Sequence, residues 1–203
     1  MSLPEQRTRS YYNRPADQVA QDLLGDWLLA DDDAGWIGGP IIETEAYLST
    51  DDDANHALQA GKTDRNEAMF GPPGTIYVYL IYGMYHCLNV VCREKEVPEA
   101  VLIRAIHPRK GVQRMIKRRE EERSGNLPQD EIASGPGKLC MALNIDRSVD
   151  GGTVIGGDNV SVRKGVSISE DHMSSSSRIG VDYAETAGEW PLRYRVDDSY
   201  PID

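Results

Sequence analysis

The chain has 203 residues, which is enough for one domain with a real hydrophobic core. Its hydrophobic content of 39%, without any apolar run near the roughly 20 residues that span a bilayer, excludes a membrane-spanning protein and favours a soluble globular one. The net charge of −11 argues against a protein whose whole surface binds nucleic acid, because such binding depends on neutralising phosphates.

The first half of the chain predicts one helix and two strands before a long loop. Pro15 opens the helix, which has apolar residues at 19–20 and 23–24 on one face and ends at Gly25. Residues 26–30 and 36–47 are typical of strands. Residues 49–74 are polar and rich in Gly, Pro and Asp, and a loop of this length in a compact domain usually has a functional role.

The second half predicts a mixture of strands, helices and loops. We expect strands at 75–82, 85–91, 99–106 and 192–196, a basic helix at 111–123, a short helix at 137–144, a hairpin in the glycine-rich segment 150–166 and a serine-rich loop at 172–177. The predicted class is α+β with a mostly antiparallel sheet, in a single domain spanning 1–203 without an internal linker. Residues 1–12 are expected to form a flexible N-terminal arm.

The cysteines and histidines do not form a metal-binding pattern. The three cysteines, Cys87, Cys92 and Cys140, lack CxxC spacing, and their odd number favours reduced thiols in the cytoplasm. The four histidines are scattered, so we predict no metal site and expect no cofactor. The N-terminus has no apolar segment typical of a secretory signal, which also favours a cytoplasmic location.

Three polar residues share one face of the strand at 36–47. Because side chains alternate along a strand, Glu43, Glu45 and Tyr47 should lie on the same side. Two carboxylates on one face can shift each other's pKa, which is how acid and base pairs are built. A solvated Glu-x-Glu pair is the alternative, and the preceding apolar run at 38–42 favours the functional interpretation.

The segment 75–89 holds four of the ten tyrosines, in a chain with one phenylalanine. Tyrosine combines a flat stacking face with a polar tip, so these rings could surround a flat ligand or simply pack in the core. Tyr82 is the exception, because an aromatic residue at a hairpin tip beside Gly83 and Met84 should protrude into solvent. Proteins that bend duplex DNA insert such wedges between base steps.

Basic residues cluster between 104 and 123, apart in sequence from the acidic runs at 31–33 and 51–53. These residues could form a basic face on an acidic body, but a solvated helix with Glu120-Glu-Glu122 as pairing partners is the more usual interpretation. The sequence Ser134-Gly-Pro-Gly-Lys138 before a helix could present backbone N–H groups to a phosphate, and a plain helix start is an equal alternative. Adaptation to high salt inside the cell is one interpretation of the excess of acidic over basic residues.

These separate motifs together resemble the alkyladenine (3-methyladenine) DNA glycosylase family from about Pro15 to Val196. The resemblance is carried by the segments Ile42-Glu-Thr-Glu-Ala-Tyr-Leu48, Ala54-Asn-His56, Arg65-Asn66, Met69-Phe70, Pro73 to Tyr85, Asn89-Val90, Val101-Leu-Ile-Arg-Ala105, Ser134 to Cys140 and Arg178-Ile-Gly-Val181. It implies a single curved antiparallel sheet flanked by helices with a protruding hairpin, similar to the formyltransferase C-terminal domain.

The resemblance also implies a role for each matching residue. Glu45 matches the general base that activates a water, and Arg104 matches the arginine near that water. The residues that enclose the flipped base match Tyr47, His56, Tyr79 and Asn89, with Asn89 discriminating against the amino group of normal guanine. Tyr82, with Met84 beside it, matches the side chain that enters the duplex, and Glu43 has a supporting role such as a hydrogen bond to the neighbouring loop.

The function that the resemblance implies is excision of alkylated purines from double-stranded DNA by a monomer, without lyase activity. The expected substrates are 3-methyladenine, 7-methylguanine, and also hypoxanthine and ethenoadenine. Lys138, Arg114 and Lys117 are candidates for contacts to the DNA backbone. Two alternatives stay open: a nucleoside or small-glycoside hydrolase that uses Glu43 and Glu45 as a pair, and a DNA-binding protein that recognises damage without catalysis.

Overall fold

The structure, a computed structural model, describes residues 4–32, 34–120 and 127–202. Eight strands lie in these ranges: β1 (Trp27–Ala30), β2 (Ile37–Tyr47), β3 (Ile76–Ile81), β4 (Tyr85–Cys92), β5 (Glu99–Ile106), β6 (Val160–Arg163), β7 (Met173–Ser176) and β8 (Arg193–Val196). The helices there are α1 (Arg9–Tyr12), α2 (Ala16–Asp22), α3 (His56–Ala60), α4 (Val112–Glu120) and α5 (Pro136–Leu143). Short 3-10 turns lie at Glu67–Phe70, Gln129–Glu131, Arg147–Val149 and Glu170–His172.

The strands form one antiparallel sheet with the order β3-β4-β5-β2-β1-β6. β2 is its longest strand and pairs with β5 along one edge. Along its other edge it pairs first with β1 and then with β8, which in turn pairs with β7. The predicted α+β class with an antiparallel sheet is confirmed.

Close contact between backbones explains the glycines at the start of β2. A Cβ atom on Gly39 would lie 1.9 Å from the carbonyl oxygen of His107, which is closer than any side chain tolerates. The chain after β5 therefore lies against β2 at this point, where the backbone N–H of His107 donates to the carbonyl oxygen of Pro40 at 2.8 Å. Glycine allows that approach because it has no Cβ.

The two faces of the sheet have different environments. Leu88, Val90, Val101 and Ile103 lie on the face that is covered by α2 and α5, and all four are fully buried. This face forms the main hydrophobic core. The alternate residues of β3, β4, β5 and β2 point to the opposite face.

Two predictions for the C-terminal half are wrong. The segment 150–166 is not a hairpin, because only β6 is a strand there and it pairs with β1 rather than with a neighbour in sequence. The serine-rich residues 173–176 form β7 instead of a loop. Serine has little preference for strands, and here the pairing with β8 supplies the hydrogen bonds that define β7.

The chain before α2 contacts the rest of the fold from Glu5 onward, and residues 1–3 of the expected arm lie outside the described ranges. Arg7 donates two hydrogen bonds of 2.8 Å to Asp26, and Tyr12 is fully buried in α1. The predicted basic helix begins at Val112, one residue after the predicted start, and is described to Glu120. Residues 121–123 of that prediction lie outside the described ranges.

Candidate active site

Four residues form a row across β3, β4, β5 and β2 on the face opposite the main core. Tyr77 pairs with Asn89, Asn89 with Leu102, and Leu102 with Glu45. Residues paired across a sheet lie opposite each other and project from the same face. The pairing therefore unites residues from four strands that are far apart in the sequence.

A cavity of about 560 Å³ lies over this row, within the size range of small-molecule sites. Tyr77 and Leu102 of the row line it, together with Tyr47, His56, Tyr79, Arg104 and the segment 179–183. Asn89 lies between two of the lining residues and is 3% exposed. Its amide nitrogen donates to the carbonyl oxygens of Tyr77 and Cys87, which fixes the orientation of the side chain.

One wall of the cavity is an aromatic cluster. The hydroxyl of Tyr77 lies 2.7 Å from Nε2 of His56, and the ring centroids of His56 and Tyr79 are 5.4 Å apart. His56 is the first residue of α3, whose N-terminus is capped by the side chain of Asn55. Burial lowers the pKa of His56, and the nearby Arg65 lowers it further, so the imidazole is neutral at neutral pH.

Glu45 is fully buried at the end of the row and is held by three groups. Its Oε1 accepts a hydrogen bond of 2.8 Å from the backbone N–H of Ile179 and lies 3.1 Å from Nη1 of Arg104. Its Oε2 accepts a hydrogen bond of 3.0 Å from the hydroxyl of Tyr47. These three partners of Glu45 all line the cavity, so the carboxylate lies directly behind the wall. A carboxylate has about four acceptor positions, which leaves one on Oε2.

Glu43 has a different environment from Glu45, because its carboxylate bonds to arginine side chains and not to a loop. Its Oε1 accepts hydrogen bonds of 2.7 Å from Arg104 and 2.8 Å from Arg193, and Arg195 lies 3.6 Å from its Oε2. Burial alone would raise the pKa of the Glu43 carboxyl, but the bonds from Arg193 and Arg104 outweigh it and lower that pKa. The expected bond from Glu43 to a loop is therefore corrected, because its bonded partners lie on β5 and β8. The arrangement fixes the guanidinium of Arg104 between the two glutamates.

The hairpin between β3 and β4 ends in exposed side chains beside the cavity. Tyr82 is 85% exposed and Met84 is 64% exposed, and the ring of Tyr82 lies at the cavity rim. Tyr82 and Gly83 both have left-handed backbones, with φ of 52° and 71°. This backbone matches the twist of paired strands but is unfavourable for tyrosine. An exposed, strained aromatic residue indicates a role outside the fold itself.

The basic residues are divided between two places. Lys138 lies in the first turn of α5 and lines a second cavity beside Tyr85. Arg114 on α4 forms an ion pair with Asp32, which also lies 2.8 Å from Arg118, while Lys117 is exposed. The fold thus brings part of an acidic run against the basic helix, and Asp32 neutralises part of the positive charge of that helix.

The other acidic run, at 51–53, faces the segment 178–187. Asp53 accepts hydrogen bonds of 2.7, 2.8 and 2.8 Å from the backbone N–H groups of residues 185, 186 and 187. Asp52 forms an ion pair with Arg178 at 2.7 Å. Asp53 therefore fixes the backbone of this segment, and Asp52 fixes the guanidinium of Arg178.

Comparison with known proteins gives the family. The model of methylpurine-DNA glycosylase (MPG) matches residues 10–200, which is nearly the whole chain. The chain belongs to the methylpurine-DNA glycosylase family. Membership classes it as a DNA glycosylase, a hydrolase of N-glycosidic bonds that acts in DNA repair, and confirms the resemblance seen in the sequence.

Similar proteins named "Putative 3-methyladenine DNA glycosylase" support the same family. One from Clostridium perfringens (strain SM101 / Type A) is 41% identical over 195 residues, covering 94% of this chain and 95% of the relative. One from Methanocella arvoryzae is 45% identical over 186 residues, covering 92% and 90%. One from Desulfitobacterium hafniense (strain Y51) is 39% identical over 196 residues, covering 94% and 95%.

The methylpurine-DNA glycosylase fold brings together most of the residues selected from the sequence. Glu45, Arg104, Tyr47, His56, Tyr79, Asn89 and Tyr82 lie in or directly behind one cavity, with Met84 beside it at the hairpin tip. Their catalytic and binding roles stay predictions. Arg114 lies apart from this group, at the turn between β1 and β2.

Two further site features were missed in the sequence. Tyr77 is not among the residues for which the sequence predicts a role, and its hydroxyl contacts His56 at the cavity wall. Ile179 contributes a backbone N–H to Glu45, and the identity of a residue does not reveal such a contact. The signal for Ile179 was its place in the segment Arg178-Ile-Gly-Val181, which carries part of the resemblance.

The described residues contain neither a cluster of metal ligands nor a helix that could span a membrane. Across 4–32, 34–120 and 127–202, no three His, Cys, Asp or Glu side chains are grouped to hold a metal ion. In the same ranges, none of the helices combines the length and apolar character needed to cross a bilayer.

Proposed function

We propose that this protein removes alkylated purines from duplex DNA by hydrolysing the N-glycosidic bond with a water activated by Glu45. The observation that carries the proposal is the buried carboxylate of Glu45, held by three donors directly behind an aromatic cavity. The substrates are 3-methyladenine and 7-methylguanine, with hypoxanthine and ethenoadenine as further candidates. The protein acts as a monomer and leaves an abasic site.

The target base leaves the duplex before the reaction and enters the cavity. Flipping a base costs a few kcal/mol, and it costs least for a damaged or mispaired base. Tyr82 fills the space that the base leaves, which its exposed position at the hairpin tip supports. The rings of Tyr47 and Tyr79, with His56, enclose the flipped base.

The chemical step needs one ionised carboxylate. The remaining acceptor position on Oε2 of Glu45 takes the attacking water, beside the hydroxyl of Tyr47. An alkylated purine carries positive charge, so electron-rich rings stabilise it and it departs with little acid assistance. The proton of the water passes to Glu45 as the oxygen bonds to C1′ of the sugar. Arg104, fixed by Glu43, keeps positive charge next to this carboxylate.

The paired-carboxylate alternative has little support. A sugar hydrolase of that type needs one protonated carboxyl as an acid. Glu43 accepts hydrogen bonds from Arg104 and Arg193, and its lowered pKa keeps it ionised. Glu43 is therefore a poor acid.

Absence of lyase activity also belongs to the proposal. Lyase chemistry needs a lysine that reaches C1′ of the flipped sugar. Lys138 lines the neighbouring cavity beside Tyr85, and it is not among the residues that line the cavity beside Glu45. Borohydride trapping on lesion-containing DNA tests this point, and a covalent adduct would contradict it.

The test of the main proposal is base release from four duplexes that carry 3-methyladenine, 7-methylguanine, ethenoadenine or hypoxanthine, at low and high salt. Glu45→Gln should slow release on the order of 100- to 10,000-fold, which is the usual contribution of a general base. Glu170→Gln is the matched control, because Glu170 is exposed and outside the site. Undiminished release by the Glu45 variant would remove Glu45 as the base.

A further inference from the structure

Arg178 forms a fully buried ion pair beside the candidate active site. Its guanidinium donates two hydrogen bonds of 2.7 Å to the two oxygens of Asp52, and both side chains are 0% exposed. The same guanidinium donates to the carbonyl oxygens of Ala46, at 2.9 Å, and Ala187, at 3.2 Å. One side chain thus connects β2, the loop after it and the segment 178–187.

Asp52 extends this connection to the aromatic wall of the cavity. It accepts hydrogen bonds from the backbone N–H groups of Leu48 and Ala54, at 2.8 and 3.2 Å. Its own carbonyl accepts from the N–H of Asn55, at 2.9 Å, and Asn55 caps the helix that begins with His56. The ion pair therefore lies at the point where the two walls of the cavity meet.

Both oxygens of Glu45 are held by groups that contact or adjoin Arg178. The N–H donated to Oε1 belongs to Ile179, the next residue in the chain. The hydroxyl donated to Oε2 belongs to Tyr47, whose ring lies under the guanidinium of Arg178 with 4.7 Å between Cζ and the ring centroid. The third partner, Arg104, is held separately by Glu43.

Little apolar packing holds the segment that carries the N–H donor. The side chains of Ile179 and Tyr183 are 52% and 58% exposed, and Val181 is the buried apolar residue between them. The hydrogen bonds of Arg178 are therefore the main attachment at the start of this segment. A lysine could keep the charge of Arg178 but would lose the planar two-point contact with Asp52.

The geometry points to Arg178 as a positioning residue for the reaction, acting on Glu45 through Ile179 and Tyr47. This inference rests on the proposed function, in which Glu45 activates the water. Arg178 does not touch the reacting atoms. Its contribution is to keep both oxygens of the carboxylate oriented, and misplacement of a catalytic group by about 1 Å can cost about 100-fold in rate.

The chain contains a matched control for this role. Arg7 donates two hydrogen bonds of 2.8 Å to Asp26 and lies 4.5 Å from the centroid of the Tyr11 ring. It therefore has the same two-point contact and the same ring contact as Arg178. Arg7 does not line the cavity over the row.

The experiment compares Arg178→Lys with Arg7→Lys on a duplex that carries 3-methyladenine, after thermal unfolding has shown that both variants are folded. We expect the single-turnover rate constant at saturating protein to fall roughly 10- to 100-fold for Arg178→Lys. The rate constant of Arg7→Lys should stay within about twofold of wild type. The protein concentration at half-saturation should change little, because binding depends on phosphates and on Tyr82.

A second comparison separates positioning from general damage to the fold. Tyr47→Phe removes one donor to Glu45, and Arg178→Lys acts partly through the same ring. The double variant should therefore lose less than the product of the two single losses. If Arg178→Lys does not fold, Asp52→Asn takes its place, because it breaks the same ion pair with nearly the same shape.

The outcomes distinguish this inference from the proposed function. Equal rate constants for Arg178→Lys and Arg7→Lys, with an active wild type, would overturn the positioning role alone. The positioning role would also be overturned if the double variant lost the full product of the two single losses in rate constant. No base release by wild type from any of the lesions would overturn the proposed function and this inference with it.

Discussion

Replacing Tyr82 by asparagine should make the protein more stable and less active. Tyr82 is 85% exposed, so its ring contributes almost no packing to the fold. Its left-handed backbone costs a tyrosine about 1 kcal/mol, whereas asparagine adopts that conformation more readily. Because Tyr82→Asn relieves the strain without removing contacts, the free energy of unfolding should rise by about 1 kcal/mol. For a chain of this size the Tm should then increase by about 2–4 °C.

The loss of activity should depend on the DNA. Stacking of an aromatic side chain on a base contributes about 1–3 kcal/mol, so release from duplex DNA should slow by roughly 5- to 150-fold. A single-stranded lesion leaves no gap in a duplex for Tyr82 to fill, and its rate should be unchanged. The assays are thermal unfolding by circular dichroism and single-turnover base release. A lower Tm, or an equal loss on both substrates, would refute the reasoning.

Three further predictions concern titratable groups. Because the pKa of His56 is lowered in the fold, the unfolded chain binds a proton below about pH 6.5 that the folded protein does not bind. The free energy of unfolding, measured with urea, should therefore fall more between pH 7.5 and 5.5 for wild type than for His56→Gln. Glu43→Gln should lower the free energy of unfolding by roughly 2 kcal/mol at pH 7, because charged hydrogen bonds to Arg104 and Arg193 are weakened. Since the pKa of Glu43 is lowered in the fold, wild type and that variant should converge as the pH falls below about 4.5, and a constant gap would contradict this. Burial raises the pKa of Cys87 to about 11 and also raises that of Cys92 and Cys140, so mass spectrometry after iodoacetamide at pH 8 should show alkylation of the unfolded protein only.

The sequence predicted strands β1 to β5 and β8 well, together with the hairpin between β3 and β4, because local patterns encode them. The alternation around Glu43, Glu45 and Tyr47 determines which side chains share a face, and the structure has them in β2. The glycine at 83 marks the turn that exposes Tyr82. These features depend on neighbours in sequence, so a single chain reveals them.

The errors arose where a distant partner decides the structure. Residues 173–176 are a strand because β8 pairs with them, and four serine-rich residues carry no signal for that partner. Thr153 pairs with Thr75 instead of forming its own hairpin. The contact from Ile179 to Glu45 uses a backbone N–H, which every residue except proline has. Such contacts need the fold itself.

The placement of the acidic residues limits how the charge of this protein can be changed. Asp52 forms an ion pair with a guanidinium, and Asp53 accepts hydrogen bonds from three backbone N–H groups. Asp32 forms ion pairs with two arginines of α4. Neutralising them to strengthen attraction to DNA would remove their stabilising contacts along with their charge. The adjustable charge lies elsewhere, at exposed carboxylates such as Glu170 and Glu189. An engineer who wants tighter binding at ordinary salt should therefore begin with those two positions.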